Sequence, residues 1–209
     1  MFLVQNEVTC QQWNAEEGAK MIKKTFIKAQ DLLDDSFRLG LQIIRDGFHP
    51  DYIVGIWRGG SPIAIAVQEL LSFHGFPSDH IAVRTSSYCG IEKQRDQVQV
   101  QGLQYIIDNV TAVNSLLIVD DVFDSGRSSQ ELIDKITRFL GDKTPNTIRI
   151  ATVYHKPKNR KVSRAPDYFV RQTDHWLVFP HELQGLTEEE VATHKPLALF
   201  REAVVGTRM

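Results

Sequence analysis

The stretch Leu116 to Ser129, LLIVDDVFDSGRSS, joins an apolar segment to two adjacent carboxylates and then to a short hydroxyl-and-glycine turn ahead of a helical pattern. Leu116 to Val119 is too short for periodicity to separate strand from helix. Its β-branched content and the turn chemistry behind it favour a buried parallel strand, expected to end at the acids. Ser128 and Glu131 have the spacing of a capping box, and Leu132, Ile133, Ile136, Phe139 and Leu140 then recur at helical spacing until Gly141. A strand that feeds a helix through a tight turn is the repeating unit of a parallel sheet.

The same grammar returns along the chain. Ala29 to Asp46 places Leu33, Phe37, Leu41 and Ile44 on one helical face and stops at Gly47. Tyr52 to Trp57 reads as a strand, followed by Arg58-Gly59-Gly60, with Ser61 as the expected cap and Pro62 in the first turn of a helix to about Phe73. Ile81 to Ser87, Ile148 to Tyr154 and the shorter Tyr168 to Val170 add strands. The fold class expected is therefore α/β, a mostly parallel twisted sheet flanked by helices on both faces. Ligands of such sheets collect at the carboxyl ends of the strands.

Bulk properties narrow the function. With 209 residues, 42% of them hydrophobic, and no Pro/Gly/Ser-rich linker between comparable halves, one domain is the expected count. A net charge of -2 gives no global basic field for nucleic acid, and no apolar run reaches membrane-spanning length. Cys10 and Cys89 lack partners at zinc or disulfide-framework spacing and the N-terminus carries no secretory pattern, so reduced thiols and a cytoplasmic location are expected.

The loop Asp124 to Ser128 opens a helix, where unpaired backbone N–H groups favour an anion. Gly126 lets the main chain approach closely, Ser125 and Ser128 add hydroxyl donors, and Arg127 adds charge, which together make a phosphate site without a lysine. Asp120 and Asp121 repel phosphate but suit the two hydroxyls of a ribose or a hydrated magnesium ion. Neighbouring strand residues point to opposite faces, so one acid can be the main ligand. In Trp57-Arg58-Gly59-Gly60 two glycines free backbone donors beside a multi-donor cation, a second anion site, although an ordinary tight turn explains that string on its own.

The string from Asp120 to Ser128 resembles the phosphoribosyl pyrophosphate signature of the type I phosphoribosyltransferases, an apolar strand, two acids, two variable residues and D-[ST]-G-x-[ST], and every position matches. The resemblance covers roughly Lys24 to Leu186. It implies the type I fold with a small C-terminal hood, Asp120 and Asp121 on the ribose hydroxyls, Asp124, Ser125, Gly126, Arg127 and Ser128 around the 5-phosphate, and magnesium bridging sugar and pyrophosphate. WRGGSP falls where the family has its pyrophosphate loop, which implies pyrophosphate contacts from Trp57, Arg58, Gly59 and Gly60 and a cis Trp57-Arg58 peptide. The xanthine-guanine branch has arginine-glycine-glycine there. A glutamine-rich stretch from about 86 to 114 corresponds to a flexible loop that closes over the sugar, with Ser87 and Tyr88 as its serine-tyrosine pair; from composition alone a disordered or solvated hairpin without ligand contact is the plainer reading.

For the acceptor, Lys156 after an apolar strand can donate to an exocyclic purine oxygen, and Trp176 in TDHWLVFPHE can stack on a base. Both, with Leu177, resemble the 6-oxopurine (hypoxanthine and xanthine-guanine) branch. That likeness implies Asp124 as the acid that accepts a proton from N7 while N9 attacks, Lys156, Trp176 and Leu177 around the base, and Glu182 joining Asp120 and Asp121 toward metal. A solvated Lys156 in KPKNRK and a core-packed Trp176 are the plainer readings. His155, His175 and His181 show no ligand spacing and are taken as structural or surface residues.

The expected organisation is an N-terminal extension at 1–24, a phosphoribosyltransferase domain at 25–186 with its base-binding hood at about 168–186, and a C-terminal helical segment at 187–209 that begins with the capping box of Thr187 and Glu190. The expected activity is magnesium-dependent transfer of ribose 5-phosphate from phosphoribosyl pyrophosphate to a 6-oxopurine in purine salvage, by a homodimer or homotetramer. A regulator that senses the sugar donor and a transferase for a pyrimidine base stay open. The first should carry a basic face or an added helix-turn-helix, and neither is evident apart from the short run Lys156 to Arg164.

Overall fold

The computed structural model describes residues 24–88 and 97–195, arranged as β1 (Lys24–Phe26), α1 (Ala29–Arg45), β2 (Tyr52–Trp57), α2 (Gly60–Phe73), β3 (Asp79–Tyr88), β4 (Gln97–Gln101), α3 (Gln104–Asn109), β5 (Ser115–Phe123), α4 (Arg127–Leu140), β6 (Thr147–His155), β7 (Tyr168–Gln172), β8 (Trp176–Val178) and α5 (Glu188–His194). Six strands form the main sheet in the order β4-β3-β2-β5-β6-β7, all parallel except the β3–β4 pair. Period-two alternation divides its core residues. Ile53, Leu117, Val119 and Val153 face α1 and α2, whereas Val54, Leu116, Ile118 and Ile150 face α3 and α4. From β2 the chain crosses to β3 on one side, while β5 lies against β2 on the other, so the switch in strand order falls between β2 and β5.

Several local expectations change. Helix α1 buries Leu32, Asp35, Ser36, Leu39 and Ile43, not the Leu33-Phe37-Leu41-Ile44 stripe, and Leu33 remains 42% exposed. The polar members of the buried face have partners: Asp35 accepts from Arg171 on β7 at 2.5 and 3.1 Å, and the Ser36 hydroxyl donates to the Leu32 carbonyl. Strand β5 runs through the acids to Phe123, since Asp120 and Phe123 still register with Thr152 and His155 on β6. Neither Ser128 nor Ser61 caps its helix. Helix α4 starts at Arg127 behind Gly126, and α2 starts at Gly60 behind Gly59.

The flexible stretch expected at 86–114 carries ordered elements in its second half. Strand β4 pairs antiparallel with β3, and Leu103, Ile106 and Val110 are buried in the core beside α4. The remainder, 89–96, with Cys89, lies outside the described residues, as do the extension 1–23 with Cys10 and the segment 196–209. The hood also differs from the expected 168–186. β7 is the edge of the main sheet, and β8 instead pairs in parallel with β1 as a separate two-stranded sheet. Helix α5 opens with the expected Thr187–Glu190 capping box and is tied to β1 by Lys24, whose ammonium donates to both Glu190 oxygens at 2.7 and 2.8 Å.

Candidate active site

The turn after β2 meets the end of β5 at the carboxyl edge of the sheet. Register between Gly55 and Val119 sets the turn after β2 against the end of β5. A Cβ added to Gly59 would lie 1.8 Å from the Asp121 Oδ2, and one on Gly60 would lie 2.4 Å from the Val119 carbonyl oxygen. Glycine is therefore needed twice, so that the main chain after Arg58 can rest on the acid pair. The Trp57-Arg58 peptide is cis, as expected, and both side chains project outward.

The acid pair is held by its own backbone. Asp120 Oδ1 accepts from the Asp121 N–H at 3.0 Å, and Asp121 Oδ1 accepts from the Val122 N–H at 2.7 Å. Burial of the carboxyl group, then the neighbouring Asp121 charge, push Asp120 well above the ordinary carboxylate range. Burial, with Glu182 adding repulsion, pushes Asp121 up to about 6. Two packed carboxylates and a third nearby negative charge create a local demand for a cation. Among the described residues no three His, Cys, Asp or Glu side chains converge as a closed metal site. An oxygen-only pair at the carboxyl edge of the sheet suits magnesium, which keeps several waters and takes only one or two protein carboxylates.

The turn after β5 is formed by Gly126 at φ +78°, where a Cβ would also lie 2.5 Å from Phe123 Cζ and 2.6 Å from Val162 Cγ2. The Ser125 carbonyl accepts from the Lys161 N–H at 2.9 Å, which pins the turn to the segment after β6. Asp124 and Ser125 are partly exposed, Gly126 is buried, and Ser128 lies in the first turn of α4. Thus Asp124 to Ser128 rim a helix N-terminus, with its outward-facing donors.

Lys156 is not the solvated cation its basic surroundings suggest. It is 7% exposed, and its ammonium stands 3.4 Å from Asp124 Oδ2. The Lys156 N–H donates to the Phe123 carbonyl at 2.9 Å, so the ends of β5 and β6 are locked together beneath this ion pair. Trp176 is 49% exposed, whereas the Leu177 side chain is buried in the core with Phe179. Leu177 can thus offer a ligand only its backbone. Glu182 closes its own turn, its Oε2 accepting from the Phe179 N–H at 2.9 Å. Ser87 and Tyr88 lie in β3 opposite Val98 and Gln97, and their side chains lie outside the described residues.

A family model described as a phosphoribosyl transferase domain matches residues 25–184. The chain belongs to that family. It is 29% identical over 153 residues to the hypoxanthine-guanine phosphoribosyltransferase of Lactococcus lactis, an overlap of 71% of this chain and 76% of that relative. The crystal structure of a purine phosphoribosyltransferase from Pyrococcus horikoshii is 27% identical and superposes with a TM-score of 0.60 over 79% of this chain and 98% of that one. The xanthine-guanine-hypoxanthine phosphoribosyltransferase of Helicobacter pylori shares the fold at 18% identity, with a TM-score of 0.60 over 82% of this chain and 100% of that one.

Within this phosphoribosyl transferase domain, three residues near the loops were not singled out as site residues from sequence. His181 and Ser61 line an open, mostly apolar groove of about 530 Å³ beside Trp57, Arg58, Pro62 and Pro180. Desolvation of the His181 ring lowers its pKa, Glu182 opposes this, and Arg58 and Lys195 reinforce it. The Ser61 hydroxyl is buried without a partner in the second position of α2. His155 is buried between Phe123 and Phe169 with neither ring nitrogen hydrogen-bonded, and burial followed by the Arg160 charge pushes its pKa down. A histidine spacing rule could not find His181, because its neighbours come from α2 and the end of β2.

Proposed function

We propose that this phosphoribosyl transferase domain moves ribose 5-phosphate from phosphoribosyl pyrophosphate to N9 of a 6-oxopurine, hypoxanthine, guanine or xanthine, in purine salvage. The buried Lys156 ammonium set 3.4 Å from Asp124 carries the reading, because it joins a donor for an exocyclic oxygen to an acceptor for a ring proton at the end of the phosphate turn. The Lactococcus and Pyrococcus relatives, named for purine substrates, support the same acceptor class.

In this reading Asp124 to Ser128 receive the 5-phosphate at the start of α4, and Asp120 and Asp121 hold the ribose hydroxyls. Arg58 and the main chain of Gly59 and Gly60 receive pyrophosphate. Asp120 and Asp121, with Glu182 behind them, hold magnesium, which when bound offsets the charge of the leaving pyrophosphate. The bond from the anomeric carbon to pyrophosphate breaks as N9 forms its bond to that carbon, and Asp124 accepts the N7 proton. Trp176 covers the base, Leu177 offers its backbone, and Ser87 and Tyr88 begin the segment that excludes water.

We place the enzyme in the cytoplasm, since Cys10 and Cys89 lack a disulfide-framework spacing. Among the described residues no helix is long and apolar enough to cross a membrane. We further propose a homodimer or homotetramer that covers the exposed Leu33, Phe37 and Ile65. Turnover with magnesium, the sugar donor and a panel of hypoxanthine, guanine, xanthine, adenine, uracil and orotate tests the acceptor. Product is expected from the 6-oxopurines. Turnover confined to uracil or orotate overturns the purine assignment, and binding of the donor without turnover of any base favours a regulator.

A further inference from the structure

We propose that Val162, from the loop after β6, is a positioning residue that sets the Asp124–Ser128 turn for the 5-phosphate. This rests on the reading above, in which that turn receives the terminal phosphate of the sugar donor. The juxtaposition behind it is one apolar side chain set against the Gly126 main chain, next to a backbone tie from Lys161 to Ser125.

From Pro157 to Ser163 every residue is exposed except Val162, which is partly buried and packs against the core cluster that holds Phe123. The loop around it reads KPKNRKVSR, so this side chain is not drawn inward by an apolar run. A Cβ added to Gly126 would lie 2.6 Å from Val162 Cγ2 and 2.5 Å from Phe123 Cζ. Both side chains therefore close the face of the glycine from which a side chain would project. Glycine has the widest conformational freedom of any residue, and at φ +78° what packs on it limits that freedom.

The same loop meets the turn residue by residue. The Phe123 carbonyl accepts from the Lys156 N–H at 2.9 Å, Asp124 Oδ2 lies 3.4 Å from the Lys156 ammonium, and the Ser125 carbonyl accepts from the Lys161 N–H at 2.9 Å. The Asn159 N–H donates back to the Lys156 carbonyl at 3.2 Å, which braces the segment between Lys156 and Val162. A trans peptide points its carbonyl and its N–H to opposite sides. With Lys161 holding the Ser125 carbonyl, the Gly126 N–H of that peptide faces away from the loop, and it is one of the donors assigned above to the phosphate. Val162 keeps this peptide plane from turning. Without its branched side chain the glycine can relax into the space left, and the donor leaves its line to the phosphate.

The test compares wild type, V162A, V162T and V162L. Dissociation constants are measured for phosphoribosyl pyrophosphate, inosine monophosphate and pyrophosphate, and the Michaelis constant for hypoxanthine. The first two ligands carry the 5-phosphate and the last two do not. V162A is expected to weaken the first two about tenfold, the scale of one misaligned hydrogen bond to a charged group, and to change the last two less than about twofold. V162T keeps the β-branch and should stay within about twofold of wild type for every ligand. Unchanged donor and nucleotide affinity in V162A, or equal losses for all the ligands, overturns the proposal. If V162A does not fold, V162L, which keeps apolar bulk but moves the branch off Cβ, is held to the same thresholds. Wild-type protein that binds neither donor nor nucleotide would overturn the site assignment itself, a result distinct from a V162A variant without effect.

Discussion

The Asp124–Ser128 turn and the hood are built in opposite ways. The turn is one unbroken piece of chain, β5 into α4, whose conformation follows from Gly126 and from helix geometry. The hood is gathered from β1, β8 and α5, segments separated by as much as 166 residues where Lys24 meets Glu190. A continuous loop can place anion donors by backbone alone, whereas a gathered surface needs side-chain ties such as Lys24–Glu190 and Lys195–Phe179. Family-wide chemistry suits the first construction and acceptor choice suits the second, because each hood contact can change without disturbing the turn.

Asp124 faces the buried Lys156 ammonium at the end of β6, and removing its charge should produce the largest effect. D124N keeps shape and hydrogen bonding but loses the proton acceptor, so turnover is expected to fall about 10²- to 10⁴-fold. Donor affinity should change far less. Equal losses in turnover and donor binding, or parental turnover, would remove Asp124 as the base. The turn itself is broken most directly by G126A, which puts a Cβ at positive φ and 2.5 Å from Phe123 Cζ. A cost of about 2–4 kcal/mol is expected, with a fall in melting temperature of roughly 4–16 °C. A variant that melts with wild type would show that the turn does not need glycine.

How much of this was legible follows the same division. The turn, the acids, the arginine-glycine-glycine loop and the strand-helix alternation could be read because each is local in sequence. The strand β1 and the role of α5 could not be read, since Lys24–Phe26 has three residues and acquires its pairing only from β8. Helix α1 misled because Asp35, Ser36 and Gly40 occupy its buried face, which made the exposed Leu33–Phe37 stripe look like the apolar one. Ser128 and Ser61 have capping chemistry, but a glycine ahead of each lets the helix start sooner. In the glutamine-rich stretch, Leu103, Ile106 and Val110 did carry helical spacing, hidden by the polar residues around them.

The acid pair offers a test by pH. Asp121 ionises at about 6 rather than near 3.8, so its folded-state proton affinity exceeds that of the unfolded chain. Its contribution to stability is therefore fully present below about pH 4 and is lost as pH rises through about 6. A divalent cation that binds through Asp121 needs that carboxylate ionised, so the cation should add stability above pH 6 and progressively less below it. Melting curves with and without magnesium and donor, from pH 5 to 8, should show the added stability shrinking by up to about tenfold in apparent affinity per pH unit below 6. A magnesium effect that does not vary over this range would rule out Asp121 as a group that must deprotonate for the cation.

The smallest expected effect is confined to the hood. Trp176 is half-exposed at the end of the segment that pairs with Lys24, so W176A removes an aromatic face without opening the core. Aromatic stacking is worth about 0.5–1.5 kcal/mol, and base Michaelis constants are expected to rise roughly 2- to 10-fold while pyrophosphate inhibition and melting temperature hold. The contrast with G126A is the informative result. A stability loss in W176A comparable to that of G126A would mean that the hood is as integral to the fold as the turn. Unchanged Michaelis constants for every purine would instead move base recognition away from Trp176 and onto Lys156 and the backbone of Leu177.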